Sequence, residues 1–111
     1  MPRNKKADLL QGTLELLVLR MLQSGELNGW DIMQRIKLVT QDVLSVTPGA
    51  LYPALHRLQE RGLVSAGWGA SDNNRRAKFY SLTAAGRKQL QAERQTWSRF
   101  TDAVEVLLRD A

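Results

Sequence analysis

TPGALYPALHRLQERGLVSAGWGASDNNRRAKFYSL, residues 47–82, carries the reading of the fold. Thr47-Pro48 is a helix start, a capping hydroxyl followed by the imino acid favoured at the first helical position. Leu51, Leu55 and Leu58 then recur at helical spacing as a buried stripe, and Gly62 ends the helix. Pro53, six positions in, removes a backbone bond and crowds the preceding turn, so a kinked or loosely wound first turn is expected. Leu63 to Trp68 and Lys78 to Leu82 hold strand-type residues, while Gly69 to Ala77 between them is rich in Gly, Ser, Asp and Asn, as a hairpin tip requires. Helix, glycine exit, strand, basic loop and second strand, in that order, make a winged helix whose hairpin is the wing.

Charge gathers in the same stretch. Residues 47–88 hold seven Lys and Arg against two acids, so they account for the whole net charge of +5, with +1 before them and −1 after. A clustered basic face is the electrostatic footprint of a phosphate-binding surface; the same charge scattered would serve solubility alone.

Upstream, Arg3, Lys5 and Lys6 mark residues 1–8 as a flexible basic arm. From Leu9 to Leu22 runs a dense apolar helix in which Leu10, Leu14, Leu17 and Met21 share one face. Leu9, Leu16, Val18, Leu19 and Leu22 occupy other faces, so this helix must be covered on more than one side. Ser24-Gly25 ends it, Asn28-Gly29 marks a turn, and Ile32, Ile36 and Val39 line a second helix from Trp30 to about Val39. Downstream, Thr83 caps a proline-free helix from Ala84 to about Arg109, along which Leu90, Trp97, Phe100, Val104 and Leu107 trace a narrow seam. Such a seam on a terminal helix seeks a partner helix by coiled-coil-like packing. The expected organisation is therefore mainly α with a small β-hairpin (α+β): the arm at 1–8, a winged helix-turn-helix domain at 9–82 and a dimerisation helix at 83–111.

A chain of 111 residues has room for one domain with a modest core, and association commonly adds stability at this size. Absence of cysteine leaves no disulfide framework, thiolate nucleophile or thiolate zinc site, which fits a reducing cytosol. The apolar run at Leu14 to Leu22 is too short and too charged to span a bilayer, and MPRNKKADLL lacks a secretory pattern, so a cytoplasmic protein without a membrane partner is expected. One histidine and no recognisable carboxylate pair provide neither a nucleophile with its base nor a metal-ligand set. No enzyme, cofactor or metal is expected.

GWDI at 29–32, VTPGALYPALHRLQERGLV at 46–64 and RRAKFYSLTAAGRKQL at 75–90 resemble PadR-family transcriptional regulators, in the compact form with one C-terminal helix. The resemblance implies a homodimeric repressor that binds a two-fold operator in double-stranded DNA and is released by a small aromatic or hydrophobic effector. A winged-helix module for protein or RNA without operator specificity is the alternative, since fold alone does not establish function.

Thr47, Gly49, Ala50, Tyr52 and His56 lie at or beyond the start of the recognition helix, Tyr52 and His56 opposite the leucine stripe, and are the expected DNA contacts. Arg75, Arg76 and Lys78 on the wing are expected at phosphates or in a minor groove. Arg57 and Arg61 have a competing partner in Glu60 or Asp72. Trp97 lies mid-seam, where flat aromatic walls suit planar or cationic ligands, and related small family members carry a tryptophan in the same WSR setting at a drug-binding pore between subunits. Leu14, Leu17 and Phe100 are its expected neighbours in an effector site, and Leu90, Trp97, Phe100, Val104, Leu107 and Leu108 are the expected dimer interface.

Overall fold

A computed structural model describes the backbone of residues 2–110 and the side chains of residues 12–110. The side chains of the basic arm, and those of Leu9 and Leu10, lie outside the described residues. Helix α1 spans Pro2–Met21 and passes through a short 3-10 turn, Leu22–Ser24, to strand β1, Leu27–Asn28. Helices α2 (Gly29–Val39) and α3 (Pro48–Glu60) follow, then strands β2 (Val64–Ala70) and β3 (Arg76–Leu82) and helix α4 (Ala84–Asp110).

Local chemistry sets these boundaries. Asn28 caps α2, its side-chain oxygen accepting the Asp31 N–H at 2.8 Å, and Thr47 does the same for Ala50 at 3.3 Å on α3. Helix α3 stays α-helical through Pro53 and shows no loosened first turn. The proline frees only the carbonyl of Gly49, an exposed first-turn group within reach of water. Gly62 leaves the helix at φ +73°, a conformation that favours a residue without Cβ. Thr83 locks the start of α4 to that exit: its hydroxyl donates to the Gly62 carbonyl at 2.7 Å and accepts from the Gly86 N–H at 3.0 Å.

The sheet has three strands rather than the two of a hairpin, in the order β1-β3-β2, all antiparallel. Strand β1 pairs Leu27 with Tyr80 and Asn28 with Phe79, tying the start of α2 to the wing. Two residues carry no periodicity, so this strand was invisible to pattern reading. Leu51, Leu55 and Leu58 are fully buried against Val18, Leu19 and Leu22 of α1, Ile32 and Ile36 of α2, and Val64. Each such leucine contributes about 1.5–3 kcal/mol by leaving water. The deepest face of α1 is thus Val18, Leu19 and Leu22, while Leu14, Leu17 and Met21 are only half-buried. Val39, expected on the inner face of α2, is exposed at the helix end, and Met33 fills the core instead.

Candidate nucleic-acid interface

With the leucine stripe turned inward, α3 presents Gly49, Tyr52, Pro53 and His56 to solvent. Thr47 and Ala50 are exposed beside them at the cap. The Tyr52 ring lies against Gly29 at the head of α2, where any Cβ would collide with the phenol. That contact requires glycine at 29 and sets the direction of the Tyr52 hydroxyl. Tyr80 sits behind it, its phenol pushed above the ordinary tyrosine value by burial first and by the neighbouring Tyr52 second. His56 faces Glu60 one turn on, Nε2 to Oε1 at 3.6 Å with both side chains exposed, a pairing of little energetic weight.

Arg57 and Arg61 are engaged neither by Glu60 nor by Asp72. Both reach Glu15, the charge that interrupts the apolar run of α1: Arg57 Nε donates to one carboxylate oxygen at 3.1 Å and Arg61 Nη1 to the other at 3.2 Å. Glu15 is buried, so the pair of charge-assisted bonds satisfies it and clamps α1 to the last turns of α3. Two of the seven cations in the basic stretch are thereby spent on the protein itself.

The remaining cations gather on the wing. Its tip closes through Ser71, whose N–H donates to the Arg75 carbonyl at 2.8 Å while Asn74 N–H returns to the Ser71 carbonyl at 2.8 Å. Strand register puts Trp68 opposite Lys78, and the Arg76 guanidinium stacks 4.4 Å from the exposed Trp68 ring. Such stacking restrains a long cation without neutralising it. Arg75, Arg76, Lys78 and Tyr52, with Asn28, Trp30, Asp31 and Asp72, line a groove of about 380 Å³ between the wing and the head of α2. Sequence-predicted contacts from two elements therefore meet in one groove, while Thr47, Gly49, Ala50 and His56 lie outside it on the open face of α3. Trp30 and Trp68 are exposed aromatics at this face that sequence reasoning did not select; indole alone does not separate a surface role from a core one.

A second concavity, about 360 Å³, lies between the start of the described part of α1 and the middle of α4. Trp97 and Phe100 form one wall, their ring centroids 5.8 Å apart, and Gly12, Thr13 and Leu16 the other. Leu14 and Leu17, expected here, instead pack against the core one helical step around α1. Leu90 is 1% exposed and belongs to the core of its own chain, since the first two turns of α4 dock on the domain. Further along, Trp97, Phe100, Leu107 and Leu108 are exposed and Val104 is half-buried. Among the described residues no group of three or more His, Cys, Asp or Glu is placed to hold a metal, and no helix is long and apolar enough to cross a membrane.

The model of the transcriptional regulator PadR-like family matches residues 18–92, which run from mid-α1 to the third turn of α4 and contain the groove entire. The chain belongs to this family. It is a DNA-binding transcriptional regulator, and the family's members are regulators rather than enzymes. A PadR-like transcriptional regulator from Bacillus cereus is 28% identical, with a TM-score of 0.76 over 91% of this chain and 96% of that one. A transcriptional regulator from Clostridium thermocellum shares the fold at a TM-score of 0.80 and 22% identity, over 88% and 95% of the two chains. The negative transcriptional regulator PadR of Bacillus subtilis is 29% identical over 69% of this chain, which spans only 42% of that relative's length. Trp97 and Phe100 fall beyond the matched span, so the PadR-family likeness bears on the groove and leaves the second concavity to be argued from this chain's own residues.

Proposed function

We propose that the chain is a homodimeric, sequence-specific repressor, organised as a winged helix-turn-helix domain at 9–82 with a dimerisation helix at 83–111. The α3 helices of two copies enter successive major grooves of a two-fold operator, about one helical turn apart. Wing cations Arg75, Arg76 and Lys78 hold phosphates, and Tyr52 contacts backbone or a base edge. The groove that joins Tyr52 to those three cations carries this reading. The exposed seam from Trp97 to Leu108 supports the dimer. A small hydrophobic or aromatic effector seated by Trp97 and Phe100 changes the separation of the two heads, and a coupling of roughly 1 to 3 kcal/mol shifts operator occupancy five-fold or more.

Fluorescence anisotropy against duplex from the chain's own upstream region, beside scrambled duplex and across a salt series, tests the proposal. Preference for the upstream duplex and a steep negative salt slope are expected. Arg75→Ala with Arg76→Ala should weaken binding to every sequence and flatten that slope. Equal weak binding to both duplexes would replace operator recognition by an interaction module.

A further inference from the structure

We infer that the concavity beside Trp97 selects an organic cation and that Glu93 is the charge that reads it. This rests on the effector reading above and gives it a ligand class. Glu93 lies on the face of α4 shared by Gln89 one turn before and Trp97 one turn after, and all three line the concavity. Its two carboxylate oxygens are treated differently. Oε1 accepts from Gln89 Nε2 at 3.0 Å, whereas Oε2 is buried with no hydrogen-bond partner among the described residues. A buried carboxylate oxygen without a donor is costly, and such groups call for a partner supplied from elsewhere.

The surroundings specify that partner. No lysine or arginine is among the described residues that line the concavity, so its formal charge is the single negative one of Glu93. Trp97 and Phe100 offer ring faces, whose quadrupoles attract cations and repel anions. A volume of about 360 Å³ suits a molecule of two or three fused rings. An anion would meet the carboxylate and the ring faces together, and a neutral aromatic would leave Oε2 unsatisfied. A flat aromatic amine that is protonated satisfies every wall: its N–H donates to Oε2 and its rings lie on Trp97 and Phe100.

Two dyes of one shape separate the alternatives: 9-aminoacridine, a cation with N–H donors, and acridine, neutral at mildly alkaline pH. Titration calorimetry on the full chain is expected to show tighter binding of 9-aminoacridine. Glu93→Gln keeps size and shape, and should weaken that dye roughly ten-fold while leaving acridine unchanged. Trp97→Ala should weaken both. Equal loss for the two dyes in Glu93→Gln, or no loss, overturns the assignment of charge while leaving an aromatic effector site in place. A weakened dimer with unchanged dye preference would give Oε2 to a basic side chain of a second copy and equally overturn it. Binding of neither dye to the unsubstituted chain removes the effector reading as well.

Discussion

Helices α3 and α4 carry the same kind of apolar stripe, yet the molecule treats them in opposite ways. Along α3, Leu51, Leu55 and Leu58 are all sealed by α1, α2 and the start of β2. Along α4, exposure climbs from 1% at Leu90 to 39% at Trp97 and 70% at Leu107. Length explains the contrast. Twenty-seven residues make a helix about 40 Å long, whereas the molecule is 29 Å across its two shorter axes. The first turns of α4 are held by Thr83 and buried through Leu90, and the rest runs past anything its own domain can place against it. Periodicity declares that a stripe needs a cover; it does not say whether the cover belongs to the same chain.

Three substitutions probe that contrast, in falling order of effect. Leu55→Ala empties a closed site, and urea denaturation should show a loss of about 2–5 kcal/mol; a loss below about 1 kcal/mol would mean that the α3 stripe is not core. Glu15→Gln removes the charge that holds Arg57 and Arg61. Because both guanidinium groups are partly exposed, water takes up some of the strain, and about 1–2 kcal/mol is the expected loss. Unchanged stability would show that α3 is seated by its leucines alone. Leu107→Ala with Leu108→Ala should alter unfolding of the monomer by no more than about 0.5 kcal/mol. In sedimentation equilibrium the same pair should shift the protein toward monomer. An association unaffected by the pair breaks the comparison from the α4 side, because the stripe would then need no second chain.

Much of the fold was legible from local chemistry. The Thr47-Pro48 start, the Gly62 exit, the wing strands and the Thr83 cap each depend on residues within a few positions of one another, and each stands where pattern reading put it. Arg75, Arg76, Lys78 and Tyr52 were also legible, because one strand register and one helix face carry them into the groove. Other features depend on separations of tens of residues. Glu15 reads as an interruption of an apolar run until α3 swings Arg57 and Arg61 onto it across more than 40 positions. Leu14 and Leu17 lost their place beside Trp97 to Thr13 and Leu16 because the rotation of α1 against α4 is set by packing, to which spacing along one helix is blind. The short strand β1 exists only through its pairing with β3.

The amino-acid sequence by itself determined where helices begin and end, which face of each is apolar, that the basic residues gather on the wing and recognition helix, and the family to which they point. These are consequences of backbone sterics, capping and periodicity, all of them short-range. Only the tertiary structure decided which cations remain for a phosphate and which are taken by Glu15, which leucines of α4 are core and which are left bare, and that Glu93 keeps one carboxylate oxygen unpaired beside two aromatic rings. The reason is physical: burial and hydrogen-bond satisfaction are properties of the packed surface, and they arise only when elements distant in the chain close on one another.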